Sequence, residues 1–382
     1  MRGSRLLLWI LALAAAFALG RFGSAAIGPD PSSAASFRKA MDEDDPVVRA
    51  IGISRFLRRL SAENVGEVAK IVEAEKNWLP DPALLLFMTA WTSFDEMGAL
   101  DWAFTRPGHF RRRASAAVVE SLAFRNPSSA LSAIDALNDP TALLRLHDHM
   151  ISGWARSDFK DALARYITEI TRPSDRQRAT QILALEILKG GVEASIEWAD
   201  EIPDDAAQNF KQTAVRRVAN DVAGIDPERA AQWIGGQSDR PYAPIARDAI
   251  ATRWVERDPV AAMNWLLTVP AGDERRKTIR STFSTWLESD PGAATKWLRS
   301  ASPAEAADPA IMVVVRRDSM RRPGSALDWA HLIHDDGLRR STLIEVARRW
   351  LERDPKAFKA WLPNSGLRGD IRQKIMTPSP DW

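Results

Sequence analysis

The feature that most constrains the fold of this chain is a pattern that returns at a fixed interval. Residues 254–266 read WVERDPVAAMNWL, residues 286–298 read WLESDPGAATKWL and residues 350–362 read WLERDPKAFKAWL. The central proline recurs every 32 residues, at Pro227, Pro259, Pro291, Pro323 and Pro355. Self-similarity at a fixed period of this size is typical of stacked structural repeats.

The repeat also conserves residue types between its copies at set positions before and after each proline. A tryptophan lies six residues after it in every copy, at Trp233, Trp265, Trp297, Trp329 and Trp361. Alanine lies three residues after it, except that Phe358 takes this place in the last copy. A tryptophan lies five residues before it in three copies, and Val222 and Asp318 replace it in the other two. Weaker copies upstream, anchored near positions 62, 96, 127, 159 and 192, bring the expected total to about ten.

Each copy is predicted to form two helices. Aspartate before proline is a helix-start signal, because the aspartate side chain can accept a hydrogen bond from a free backbone N–H and proline at the first position has none to lose. The longer second helix shows apolar residues at helical spacing, as at Ile279, Phe283 and Trp286. We therefore expect an all-α fold, a right-handed α–α superhelix (solenoid) of about ten hairpins with a period of 32 residues. Trp265 and Trp297 are expected to lie in its core.

The spacing W-x3-DP-x2-A-x2-W resembles the junction between tetratricopeptide repeats, where a DP dipeptide closes one unit and an aromatic residue opens the next. The glycines and tyrosine of that family are not matched by WLLTVPAGDERRKT at 265–278. The first helix is also shorter and the turn longer than the family uses. The resemblance implies a tetratricopeptide-like architecture of a Trp-rich type over residues 46–382. It also implies binding of a protein or peptide on a superhelical surface.

Residues 1–26, MRGSRLLLWILALAAAFALGRFGSAA, have the three-part plan of a secretory signal. Arginines precede an apolar run over residues 6–20, and Ser24 and Ala26 suit a cleavage site. Three alternatives stay open, a cleaved signal peptide, an uncleaved membrane anchor and a buried amino-terminal helix. The first two place the remaining chain in the periplasm or elsewhere outside the cytoplasm, either secreted or anchored in the inner membrane, with membrane contact only through residues 6–20. The polar residues 27–45 are predicted to be a linker.

Composition excludes several classes of site. The chain has no cysteine, so disulfides, thiolate metal sites and a cysteine nucleophile are excluded. Removing the three arginines of residues 1–26 from the 52 basic residues leaves 49 against 50 acidic ones. A chain this close to neutrality has no global attraction to nucleic acid. The run of Arg111, Arg112 and Arg113 is accordingly interpreted as solvated helix surface.

Two histidine clusters are candidate metal sites. His147 and His149 are two residues apart, which places them on different faces of a helix. His331, His334 and Asp335 have a spacing that shares one helical face. The preferred interpretation makes the first pair packing or capping residues and the second set a basic helix end. No motif of a serine hydrolase, phosphate loop or zinc protease is present, and we expect no catalytic residue, cofactor or metal.

The short helix carries a candidate binding surface. The fifth position after the anchor is polar in five successive copies, from the one anchored at 192 to the one anchored at Pro323, but its charge changes. The eighth position lies on the same side. Together they form a polar stripe, which we define as Glu197, Gln232, Asn264, Lys296, Arg299, Asp328 and His331. Plain solvent exposure is the competing interpretation of these residues.

These patterns favour an exported or membrane-tethered scaffold or adaptor that binds one or more proteins, with a membrane protein complex among the candidate partners. Two alternatives remain. One is an enzyme or metal protein whose site is assembled across repeats, and the other is a permanent structural subunit of a membrane complex.

Overall fold

The computed structural model describes residues 33–77, 79–137, 140–204, 209–301 and 305–377. Within those residues the chain forms 22 α-helices and two short 3₁₀ turns, and no strand. The predicted all-α class is therefore confirmed. The chain divides into two compact units, unit 1 up to Glu186 and unit 2 from Ile187.

Unit 1 is built from ten helices, the last of which continues two residues past the boundary. Their bounds are α1 Ala34–Met41, α2 Pro46–Leu57, α3 Val65–Ala74, α4 Asp81–Trp91, α5 Glu96–Thr105, α6 Gly108–Arg125, α7 Pro127–Asp135, α8 Pro140–Ala155, α9 Lys160–Glu169 and α10 Pro173–Leu188. From α5 onward a short helix alternates with a longer one.

Unit 2 is built from twelve helices. Their bounds are α11 Val192–Glu201, α12 Phe210–Ala223, α13 Pro227–Gly235, α14 Ala243–Trp254, α15 Pro259–Thr268, α16 Asp273–Ser289, α17 Pro291–Ala301, α18 Asp308–Asp318, α19 Pro323–Ala330, α20 Asp336–Arg353, α21 Pro355–Trp361 and α22 Gly369–Met376. All five anchor prolines are the first residue of a short helix, as predicted.

The residue before the anchor caps the short helix in four of the five copies. The Asp258 carboxylate accepts a hydrogen bond from the Ala261 backbone N–H at 2.9 Å. Asp226, Asp290 and Asp354 accept equivalent bonds. The remaining copy has Arg322 in this position, and its side chain bonds instead to the buried carboxylate of Asp318 at 2.9 Å. Asp318 stands where three other copies have tryptophan. It also pairs with Arg317 at 3.3 Å and accepts a hydrogen bond from the Ser325 hydroxyl at 3.0 Å, so in this repeat a buried polar network replaces the aromatic residue.

The two tryptophans of a repeat pack against each other across the junction between a long helix and the next short one. Trp254 and Trp265 have ring centroids 5.7 Å apart. The same pairing recurs in three other places, for Trp91 with Trp102, Trp286 with Trp297 and Trp350 with Trp361 at 5.2 to 5.6 Å. Trp297 is buried as predicted, whereas Trp265 is only partly buried against the core.

The alanines three residues after the anchor have no exposed surface in unit 2, which confirms their packing role. Consecutive long helices contact each other directly, α12 with α14, α14 with α16 and α16 with α18. Most buried apolar side chains of unit 2 form one continuous cluster from Ile196 to Ile375. In unit 1 the corresponding direct contacts join α2 to α4, α4 to α6 and α6 to α8.

Arginines recur near the start of the long helices, although positive charge there opposes the helix dipole. Three of them reach back six residues to a backbone carbonyl. Arg176 donates to Ile170 at 2.6 Å, Arg275 to Val269 at 2.7 Å and Arg339 to Ile333 at 2.7 Å. These bonds tie the turn of the hairpin to its second helix, and the bond to a charged donor offsets the unfavourable dipole interaction.

The segment predicted to be a linker contains a helix. Residues 1–32, which include the predicted targeting segment and the first part of the linker, lie outside the described residues. Helix α1 follows, and its Phe37 is only 2% exposed and packs on Phe56 at a ring-centroid distance of 5.0 Å. One aromatic residue in a polar sequence was enough to attach this segment to α2.

Candidate functional site

The seven residues of the polar stripe are all exposed in unit 2. Two of them contact the tryptophan of the following repeat. The Asn264 side-chain oxygen accepts a hydrogen bond from the Trp297 indole N–H at 2.9 Å, and the Arg299 guanidinium lies 4.5 Å from the centre of the Trp329 ring. For these two residues the structure adds a packing role that the sequence did not predict.

The same edge of an earlier short helix makes an equivalent contact. Asp200, on α11, accepts a hydrogen bond from the Trp233 indole N–H at 3.0 Å. Neighbouring short helices are therefore connected by side chains on the edge that carries the stripe. The other five stripe residues have no side-chain hydrogen bond or ion pair among the described residues; they are Glu197, Gln232, Lys296, Asp328 and His331.

The proposed helical spacing of His331, His334 and Asp335 is not realised, because α19 ends at Ala330. The backbone N–H groups of His334 and Asp335 instead donate to the buried Asp308 carboxylate at 2.7 and 2.9 Å. Asp335 caps α20. In the parts of the chain that the structure describes, no three His, Asp or Glu side chains are placed to hold a metal ion.

His147 and His149 lie on different sides of α8, as the sequence indicated. His147 is buried and packs against Tyr166, and burial lowers the pKa of its imidazole. His149 points toward α6, where its Nδ1 lies 3.3 Å from the Glu120 carboxylate. This hydrogen bond is the main reason that the pKa of His149 is raised.

A groove surrounds His149 in unit 1. It consists of two adjoining pockets of about 670 and 420 Å³, lined mainly by residues of α4, α6 and α8, with Phe104 of α5 and Leu137 also in the lining. Arg112, Ala116 and His149 line both pockets, so the two lie side by side. We call this feature the arginine groove, because Arg111, Arg112, Arg113 and Arg145 all line it.

The carboxylates that line the arginine groove are already paired. Asp81 lies 2.6 Å from the Arg113 Nε atom. Glu120 accepts from Arg156 at 2.5 Å in addition to facing His149. Arg111 and Arg112 are exposed, and no described carboxylate lies within ion-pair distance of either. The unpaired charge of the groove is therefore positive.

The sequence interpretation missed this groove. It treated the three consecutive arginines alike, as solvated surface. The structure separates them: Arg113 bonds to Asp81 and to the backbone carbonyl of Lys76 at 2.7 Å, whereas Arg111 and Arg112 line the groove without such bonds. The available signal was a basic run at a helix start, where the dipole disfavours it. Its location beside α8 depends on packing that no local pattern reports.

A second groove occupies a comparable position in unit 2, between α16, α18 and the start of α20. Its volume is about 400 Å³, and it also carries arginines, including Arg280 and Arg316. Three carboxylates line it as well, those of Glu305, Asp308 and Asp335. Its charge is therefore mixed, which distinguishes it from the arginine groove.

Comparisons with protein-family models, curated proteins and solved structures gave no match. Among the described residues, no helix combines the length and the apolar character needed to cross a membrane.

Proposed function

We propose that this chain is a tetratricopeptide-like helical-repeat protein that binds a protein partner and performs no catalysis itself. In this proposal about ten hairpins stack into a right-handed superhelix. Support comes from the direct contacts between consecutive long helices within each unit and from the recurring tryptophan pairs. The repeat supplies a constant frame, and the exposed positions supply recognition.

The observation that carries this proposal is the contrast between buried and exposed positions of the short helix. The third position after the anchor is fully buried in every copy of unit 2 that has a proline anchor. The fifth is exposed and changes from Glu197 to Gln232, Asn264, Lys296 and Asp328. A surface whose chemistry changes from repeat to repeat on a constant frame suits recognition of an extended partner.

Reversing the charges of two stripe residues tests this use of the surface. We expect Lys296→Glu combined with Asp328→Lys to change the amount of protein cross-linked to a photoreactive residue at position 232, because both charges are exposed and unpaired. Rim charges act mainly on association and its salt dependence. The measurement is photo-cross-linking in native membranes and exported fractions, with the products identified by mass spectrometry.

The matched control exchanges the exposed charges of Glu352 and Lys356, which lie outside the stripe. Both double variants should unfold within about 0.5 kcal/mol of the parent chain, since exposed substitutions have small effects on stability. Identical cross-linked products from all three chains would show that the stripe does not recognise a partner.

Export is the second part of the proposal. It rests on the arginines and apolar run of residues 1–26. A reporter enzyme that is active only after export, fused after residue 382, should be active. The same fusion lacking residues 1–26 should be inactive. Activity of a cytoplasm-specific reporter at the same position would contradict export.

A further inference from the structure

The arginine groove carries positive charge that the fold does not use. Other arginines near the starts of long helices bond to backbone carbonyls of their own hairpin, as Arg176, Arg275 and Arg339 do. Arg111 and Arg112 make no such bond, and both line the groove. Two adjacent guanidinium groups near the start of α6 also repel each other and oppose the helix dipole. Bound carboxylates would offset both the repulsion between the guanidinium groups and their unfavourable interaction with the helix dipole.

The floor of the groove is apolar. Leu84 and Leu146 are buried at its base, and Ala116 and Ala117 form the wall of α6. A ligand that carried negative charge alone would leave this apolar surface exposed to solvent. A ligand with apolar side chains next to its carboxylates would bury the floor and pair with the arginines in one bound pose.

The groove walls are helices. Their backbone N–H and C=O groups bond within each helix, so the groove has no free strand edge to pair with an extended backbone. Recognition must use side chains. The remaining common mode for an apolar groove of this kind is a helix laid into it with its apolar face downward.

We infer that the arginine groove of unit 1 binds an acidic amphipathic helix of a partner protein, in which carboxylates pair with Arg111 and Arg112 and apolar side chains cover the floor. This inference rests on the proposed function, because it makes the partner a protein. It adds the chemistry of the partner and a location separate from the polar stripe.

A labelled peptide tests the inference. The full-length chain is titrated into a fluorescein-labelled helical peptide with glutamates on one face and leucines on the other, and fluorescence anisotropy reports binding. We expect saturable binding that weakens as salt is added. Arg111→Gln combined with Arg112→Gln should weaken it by roughly tenfold or more, since charge-assisted hydrogen bonds of this type contribute that much.

The matched control is Arg280→Gln combined with Arg316→Gln in the mixed-charge groove of unit 2, which should leave the affinity unchanged. Two further peptides separate the contribution of charge pairing from that of apolar contact. A peptide with glutamines in place of the glutamates should bind the parent chain as weakly as the acidic peptide binds the Arg111/Arg112 variant. A peptide with serines in place of the leucines should also bind weakly.

Four outcomes overturn the inference. The acidic peptide does not bind, it binds the Arg111/Arg112 variant as tightly as the parent chain, or the unit 2 control variant loses as much affinity as the Arg111/Arg112 variant. The fourth is that phosphatidylglycerol vesicles or polyuridylate bind more tightly than the peptide through the same two arginines. The last outcome would make the groove a site for anionic lipid or nucleic acid. If the peptide fails while cross-linking at the stripe still depends on Lys296 and Asp328, only this inference is lost. If both fail, the proposed function is lost as well.

Discussion

Replacing Trp286 with alanine is expected to lower the free energy of unfolding of unit 2 by about 3–5 kcal/mol, the usual cost of removing a core aromatic side chain. The Trp286 ring is 2% exposed and packs against Trp297 at 5.6 Å and Phe283 at 6.3 Å. Little can move in to fill the space, because these neighbours are themselves held in a continuous core. Denaturant unfolding followed by circular dichroism measures the change.

Trp265→Ala is the matched control for that experiment. Trp265 belongs to the equivalent pair of the preceding repeat, but it is only partly buried. Its removal should therefore cost less than the removal of Trp286. A chain that kept its unfolding midpoint after Trp286→Ala but lost its partner would make this tryptophan a contact residue and would refute its assignment to the core.

Gly153→Ala is expected to destabilise unit 1 by about 3 kcal/mol, at the upper end of the usual cost of overpacking. A Cβ atom added to Gly153 would lie 2.0 Å from the backbone carbonyl oxygen of Glu120 and 3.1 Å from the Ala123 Cβ. A backbone oxygen cannot rotate away as a side chain can, so α8 would have to separate from α6. The measurement is thermal unfolding.

Gly66→Ala, in helix α3 of the same unit, provides the control. A Cβ atom at Gly66 would meet nothing within 4 Å. Alanine in a helix is favoured over glycine by roughly 0.5–1 kcal/mol, so this variant should be slightly more stable than the parent chain. If Gly153→Ala were equally harmless, the close approach of α6 and α8 would not be a property of the folded chain. The arginine groove, which these two helices form, would then need a different description.

The repeat made much of the architecture predictable from sequence. Helix starts at the anchor prolines, the buried alanines and the paired tryptophans all follow from short-range spacing that is sampled several times along the chain. Repetition averages out the ambiguity of a single copy. Where a feature occurs once, the sequence was a poorer guide, and the helix around Phe37 was therefore taken for part of a linker.

The candidate sites show the same limit. Exposure of the polar stripe was predictable, since it depends only on which helical face is opposite the alanine. The bond from Trp297 to Asn264 was not, because it joins residues that are brought together only when two repeats stack. The difference in contacts between Arg113, which is paired, and Arg111 and Arg112, which are not, depends in the same way on the positions of α4 and α8. The local sequence around α6 does not encode those positions.

If Asn264 binds a partner as proposed, its bond to Trp297 couples that binding to the contact between two repeats. The Asn264 side-chain oxygen accepts the hydrogen bond from the Trp297 indole N–H. A partner that turned this amide away from the indole would weaken the contact between the two repeats. By linkage, a change in the spacing of the two repeats would then alter the affinity of Asn264 for the partner by the same factor.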